Sequence, residues 1–132
     1  MQPTLVRILV VDDFGPIRRF VCEALGKRQH LQVVGEALDG LEAIQKAVEL
    51  KPDLILLDIG LPTLNGLEAA RQIRKLVPES KVIFLSQESS ADVLQEALRI
   101  GACGYVVKVG AETELLTAVE AVLSGKRFVS ST

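Results

Sequence analysis

The stretch Pro52-Asp53-Leu54-Ile55-Leu56-Leu57-Asp58-Ile59-Gly60-Leu61-Pro62 decides how the rest of the chain is read. Leu54 to Leu57 form an unbroken apolar run, which Asp58 ends abruptly, with Gly60 and Pro62 following. An apolar run bounded by turn residues reads as a strand covered on both faces, the usual condition of a parallel sheet. A carboxylate at the C-terminal end of such a strand lies where open α/β sheets bind their ligands. Asp58 is therefore the first candidate for a reactive group. An Asp that opens a loop is also a common turn device, so the assignment rests on what the other strands bring beside it.

Towards the N-terminus, Leu5 to Val11 is a similar run, broken by Arg7, and it ends in Asp12-Asp13. Ile17, Phe20, Val21, Ala24 and Leu25 recur at helical spacing, which predicts a helix from about residue 15 to 27 with Pro16 in its first turn. Leu31 to Ala37 reads as a second strand. Asp39 with Glu42 three positions on resembles a helix start. Leu41, Ile44, Ala47 and Val48 carry that helix until Pro52 stops it.

Beyond the Asp58 strand, Asn65 and Glu68 repeat the capping pattern. The stripe Leu67, Ala70, Ile73, Arg74 and Val77 then runs to Pro78. Lys81 to Ser86 is a fourth strand. Ser89 and Ser90 are alternative caps for a helix bearing Val93, Ala97 and Leu98 and ending at Gly101. Tyr105 to Val107 is a short fifth strand ending at Lys108, and Leu115, Ala118, Val119 and Val122 mark a last helix before Gly125. Lys126 to Thr132 shows no period. Five strands alternate with five helices, and crossovers of one hand place helices on both faces of a doubly wound five-stranded parallel α/β sheet.

Length and composition bound the function. A chain of 132 residues, 48% hydrophobic, fits one domain with a substantial core. Fifteen basic against 17 acidic side chains leave a net charge of −2, which argues against grip on a nucleic acid backbone by this segment alone. No apolar run approaches a membrane span. No signal peptide is legible at the N-terminus, so a cytoplasmic protein without membrane contact is expected. Cys22 and Cys103 lack metal or redox spacing and are expected to be small buried hydrophobes. His30, the one histidine, is expected in a solvated turn.

The strand ends carry the chemistry. Asp12 and Asp13 end the first strand, Asp58 the third, Ser86 the fourth and Lys108 the fifth, whereas Glu36-Ala37-Leu38 of the second offers no obvious group. With strand order 2-1-3-4-5 the switch point falls between the first and third strands and gathers Asp12, Asp13 and Asp58. Like charges ~4 Å apart at an effective dielectric near 20 repel by roughly 4 kcal/mol. Lys108 offsets one of the three carboxylates, and a divalent cation would offset the others. Hard oxygen donors with few protein contacts favour Mg²⁺. An incoming phosphoryl group would then meet Mg²⁺, the Lys108 ammonium and the Ser86 hydroxyl, with Asp58 as nucleophile forming an acyl phosphate.

These residues resemble the receiver domain of bacterial two-component response regulators over essentially the whole chain. The resemblance rests on Val10-Val11-Asp12-Asp13, Leu57-Asp58-Ile59-Gly60-Leu61-Pro62 with Gly66, Ser86, and Gly104-Tyr105-Val106-Val107-Lys108. Asp12-Asp13-Phe14 with Arg18-Arg19 is also similar to the chemotaxis receiver. The resemblance implies a flavodoxin-like (βα)5 fold in the order 2-1-3-4-5, with Asp58 accepting a phosphoryl group from a sensor histidine kinase. It implies Mg²⁺ on Asp13, Asp58 and the Gly60 carbonyl, with Asp12 acting through water. Ser86, Lys108 and the backbone at Ile59, Gly60 and Gln87 would contact the phosphoryl group, and Tyr105 would rotate with Ser86 as a switch. The family's activity is limited to its own phosphorylation and dephosphorylation, and a homodimer formed on activation is among its implications.

The tail Ala121 to Ser130 looks like the end of receivers that precede a LuxR-type helix-turn-helix domain. Residues 1–125 are accordingly expected to be the receiver and 126–132 the start of a linker to an output domain, absent from this chain, through which alone DNA would be bound.

Two positions depart from the pattern. Val109 follows Lys108 where many receivers carry proline, which removes the usual reason for a cis peptide there. Gln87 follows Ser86 where a smaller residue is common, and its length is expected either to crowd phosphate access or to slow the attack of water on an acyl phosphate. Rival readings fare worse. A phosphatase built on an Asp nucleophile needs a carboxylate two residues on, where Gly60 stands. A flavodoxin-like electron carrier needs a hydroxyl-rich phosphate loop and aromatics, whereas Asp12-Asp13 would repel that phosphate and the chain has no Trp and one Tyr. An unphosphorylated scaffold would have no use for the full set of Asp13, Asp58, Ser86 and Lys108.

Overall fold

The unbroken apolar run is β3, Leu54–Leu57, and it lies at the middle of a parallel sheet with the order β2-β1-β3-β4-β5-β6. A computed structural model describes residues 4–130. The chain runs β1 (Val6–Val11), α1 (Gly15–Leu25), β2 (Leu31–Ala37), α2 (Gly40–Leu50), β3, α3 (Gly66–Leu76), β4 (Lys81–Ser86), α4 (Ala91–Ile100), β5 (Gly104–Val107), a 3₁₀ turn at Lys108–Gly110, α5 (Ala111–Leu123) and β6 (Phe128–Val129). The first five strands follow the expected order. The sixth departs from expectation: the aperiodic tail pairs with β5, Gly104 opposite Phe128 and Tyr105 opposite Val129. Two residues are too few to show a period of two, which is why sequence pattern alone passes over this strand. Ser131 and Thr132 lie outside the described residues.

Successive residues of a strand face opposite sides, and here each side has its own core. Leu9, Val11, Ile55, Leu57, Phe84 and Tyr105 pack with Ala43 and Ala47 of α2, Ala70 and Ile73 of α3, and Ala97 of α4. Ile8, Val10, Leu54, Leu56, Ile83 and Val106 pack with Val21 and Leu25 of α1 and Leu115, Ala118 and Val119 of α5. All four residues of β3 are essentially inaccessible to solvent, as a doubly covered central strand requires.

Local signals set the helix starts. The Asp39 side chain accepts from the Glu42 N–H at 2.8 Å, and Glu42 in turn accepts from the Leu38 N–H at 2.6 Å. Asn65 accepts from the Glu68 N–H, and of the two candidate serines Ser90 is the cap, accepting from the Val93 N–H. At the other end of α2, Lys51 takes a left-handed conformation (φ 47°) immediately before Pro52. The helix read as reaching residue 27 stops at Leu25, and Gly26 caps it. No peptide bond among the described residues is cis, in line with valine at position 109. Cys22 and Cys103 are free thiols and half-buried rather than fully buried. His30 is half-buried too, its Nε2 lying 2.9 Å from Glu120 Oε1 on α5 rather than in open solvent.

Gly66 fixes how closely α3 approaches the site. Its N–H donates to the Ile59 carbonyl at 2.7 Å. A Cβ at this position would stand 2.0 Å from the Asp58 carbonyl oxygen and 2.8 Å from Ile59 Cα. Both neighbours are backbone, so a side chain can enter only if α3 or the β3–α3 loop moves. Gly66→Ala is expected to cost about 3 kcal/mol, the upper range of overpacking penalties, and to lower the urea midpoint correspondingly. An unchanged midpoint would show that the helix start yields freely.

Candidate functional site

Four strand ends meet in a cavity of about 670 Å³ whose lining includes Asp13, Phe14, Asp58, Ser86, Gln87, Glu88 and Lys108. Ile59 and Gly60 complete its floor on the Asp58 side. Asp12 and Asp13 arrive from the end of β1, Asp58 from the end of β3, Ser86 from β4 and Lys108 from just past β5. Asp12, Asp58 and Ser86 are buried, and Asp13 is exposed. One oxygen from each of Asp12, Asp13 and Asp58 lies within 4.8 Å of the others. The five residues expected at one edge of the sheet are therefore brought together.

Lys108 answers this crowding. Its Nζ lies 2.9 Å from Asp12 Oδ2 and 3.5 Å from Asp58 Oδ1. The approach to Asp12 is ionic and off the angle of a hydrogen bond, and buried Asp12 Oδ2 has no hydrogen-bond partner. The other Asp12 oxygen accepts from the Phe14 N–H at 2.9 Å. Asp58 Oδ1 has a long contact of 3.4 Å from the Gly60 N–H. Burial pushes the Asp58 carboxyl above its usual pKa, and the Asp12 charge adds to the rise, while Lys108 and the Gly60 N–H pull it back.

The donor set suits a hard divalent cation. It offers three carboxylate groups, one with a buried oxygen short of hydrogen-bond partners, and neither thiol nor imidazole among the cavity-lining groups.

Tyr105 sits behind the cavity. It is buried, its ring tilted against Phe84 at a centroid distance of 6.4 Å, and its hydroxyl donates to the Glu88 carbonyl at 2.6 Å. The Glu88 N–H in turn donates to Ser86 Oγ at 3.0 Å. Burial pushes the Tyr105 phenol up, with the nearby Ser86 hydroxyl opposing and Glu88 adding to the rise. Tyr105, Glu88 and Ser86 thus form one chain of contacts ending at the cavity.

Sequence reading missed some of these participants. Glu88 is the link between Ser86 and Tyr105, and its place two residues beyond the strand-end serine was the available signal. Arg18 carries another. Its Nη1 donates to the Asp12 carbonyl at 2.8 Å and its Nε to Glu36 Oε1 at 2.9 Å. Glu36, on the strand that seemed to offer nothing, anchors the arginine that braces the Asp12-Asp13 turn.

With this geometry in hand, the description of a response regulator receiver domain matches residues 8–120. The chain belongs to this family. It is 36% identical over 126 residues to the response regulator GacA of Pseudomonas viridiflava, covering 96% of this chain and 59% of that protein's length. A LuxR-family two-component response regulator from Aurantimonas sp. SI85-9A1 superposes with a TM-score of 0.92 at 33% identity, over 97% of this chain and 91% of that one. The response regulator domain of Thermotoga maritima CheB does so with a TM-score of 0.83 at 37% identity, over 91% and 95%. Receiver domains are signalling modules of two-component systems, and the curated relatives include transcriptional regulators. Among the described residues no helix is long and apolar enough to cross a membrane.

The raised Asp58 carboxyl has a measurable consequence. Between its unfolded and folded pKa values the folded chain holds more protons than the unfolded one, so stability falls as pH rises through that window. The penalty persists at neutral pH. Asp58→Asn is expected to raise the melting temperature at pH 7, by about 4 °C for each kcal/mol relieved in a domain of this size. The difference from the parent should shrink below the ordinary carboxylate pKa. A variant that melts below the parent at pH 7 would contradict the electrostatic account.

Proposed function

We propose that this receiver is a phosphorylation-controlled switch in which Asp58 accepts a phosphoryl group from a sensor histidine kinase. The observation that supports it best is the clustering of Asp12, Asp13 and Asp58 about Lys108, beside a cavity that Asp13, Asp58, Ser86 and Lys108 line. In the transfer an Asp58 carboxylate oxygen attacks phosphorus, a P–O bond forms, and the P–N bond of the phosphohistidine breaks. The departing imidazole nitrogen keeps that electron pair. Asp13, Asp58 and the Gly60 carbonyl would hold Mg²⁺, with Asp12 acting through water; when bound, the ion supplies positive charge opposite the phosphoryl oxygens.

The protein's own groups do the rest. Lys108, already between Asp12 and Asp58, turns its ammonium to a phosphoryl oxygen. Ser86 accepts from the Glu88 N–H, which leaves its own proton free to donate to another. The backbone of Ile59, Gly60 and Gln87 faces the same group. Phosphorylation replaces one negative charge on Asp58 by nearly two, plus new acceptor oxygens. Taking a two-state equilibrium from 1:99 to 99:1 needs about 5.5 kcal/mol of differential stabilisation. A few charge-assisted hydrogen bonds of ~1.5–3 kcal/mol each reach that figure. The buried Tyr105 is the inward member of the switch, joined to Ser86 through Glu88.

The reading extends beyond this chain. The receiver works in the cytoplasm, pairs with a second copy when phosphorylated, and passes its state through the segment from Lys126 onward to a helix-turn-helix domain that alone contacts DNA. The 59% coverage of the GacA relative and the LuxR-family neighbour support this. A stop codon shortly after Thr132 in the gene would refute it.

Incubation with acetyl phosphate and Mg²⁺, read by intact mass, tests the chemistry. The parent should gain one phosphoryl group, and chelation of the metal or Asp58→Asn should abolish the gain. Undiminished labelling of Asp58→Asn would remove Asp58 from the role. Gln87 lines the cavity with an exposed side chain. Gln87→Ala is therefore expected to shorten the half-life of the phosphorylated form by admitting water, and equal half-lives would reject that role.

A further inference from the structure

Ser130 lies where the tail returns to the sheet, and its hydroxyl is used twice. Oγ accepts from the Val107 N–H at 2.9 Å and donates to Glu114 Oε1 at 2.7 Å. The Ser130 N–H donates to the Tyr105 carbonyl, also at 2.9 Å. One serine therefore satisfies β5 at both its Tyr105 carbonyl and its Val107 N–H, and ties both to the first turn of α5. Val107 is buried and directly precedes Lys108. The β6 pairing ends opposite Tyr105, so without the Ser130 hydroxyl the Val107 N–H would be a donor with no strand partner on that edge. Gly110 fits the same arrangement, since a Cβ there would stand 3.1 Å from Glu114 Oε1.

We propose that Ser130, held by Glu114, is a positioning residue for the phosphoryl chemistry. It fixes the end of β5 so that the Lys108 ammonium stays beside Asp12 and Asp58 while Tyr105 stays inside. The inference rests on the reading of Asp58 as phosphoryl acceptor. Its physical basis is that Lys108 is the sole cation among the described residues lining the cavity, so the charge balance of the site depends on where the end of β5 places one ammonium. Displacements of about 1 Å at a reacting centre are already costly. Val107, Glu114 and Tyr105 do not line the cavity, so Ser130 acts through Lys108 and Tyr105 rather than on the bound group.

The test uses the full chain with Mg²⁺ alone and with Mg²⁺ plus beryllofluoride, a phosphoryl mimic, measured by titration calorimetry. Ser130→Ala is expected to weaken beryllofluoride binding about five- to tenfold, the effect of one buried donor left unpaired. Mg²⁺ binding alone should be unchanged, because the three carboxylates are untouched. Ser130→Thr keeps the hydroxyl and should restore affinity, and Glu114→Ala should reproduce the Ser130→Ala loss. Parent-like beryllofluoride affinity in Ser130→Ala would overturn the proposal. So would an equal loss of Mg²⁺ binding, which marks general loosening, or failure of Ser130→Thr to restore affinity. If the parent binds Mg²⁺ but not beryllofluoride, the acceptor reading itself fails and this inference falls with it.

Discussion

The site depends on a mismatch of charge: three clustered aspartate carboxylates face one ammonium. Asp12 and Asp58 are both buried, and Lys108 lies closer to Asp12 than to Asp58. Bringing ionised groups out of water is costly, and a single pairing does not recover the whole cost. The rise of the Asp58 carboxyl above its usual pKa is the signature of that residual penalty. A site held in this state responds strongly to an added cation or to a change of charge on one carboxylate, because either one alters a large local imbalance. The electrostatic strain that lowers stability is thus the property the proposed switch would use.

The sheet is what allows the chain to tolerate it. A central strand inaccessible on both faces and two separate cores anchor the strand ends from which the charged groups emerge. Gly66 holds α3 against the backbone of Asp58 and Ile59, and Arg18 ties the Asp12 carbonyl to Glu36 on the neighbouring strand. The carboxylates therefore cannot relax apart by small backbone movements. Close-packed interiors resist continuous deformation, so a local change tends to be expressed as a discrete rearrangement elsewhere.

In the proposed switch the elsewhere is β5. That strand carries Tyr105 and ends immediately before Lys108. On the inner side the Tyr105 hydroxyl reaches the loop after β4, and on the outer side its carbonyl and the Val107 N–H are taken up by Ser130. The strand therefore lies between the charged cavity and the returning tail, with hydrogen bonds to both. The salt bridges of Arg71 with Glu68 within α3 and with Glu96 on α4 are solvent-accessible and contribute little by comparison.

The sequence by itself determined the alternation of strands and helices, the caps at Asp39 and Asn65, and the placing of Asp12, Asp13, Asp58, Ser86 and Lys108 at strand ends. These follow from local rules: an apolar run has one burial, a cap acts within three residues, and parallel strands all end on the same side of a sheet. Only the tertiary structure decided that Lys108 stands nearer Asp12 than Asp58, that Arg18 and Glu36 brace the acidic turn, and that Glu88 joins Ser86 to Tyr105. It alone added a sixth strand that brings Ser130 onto Val107. Those contacts join side chains distant in the chain, or an edge pairing only two residues long, and neither leaves a period or a spacing for a reader of the sequence to detect.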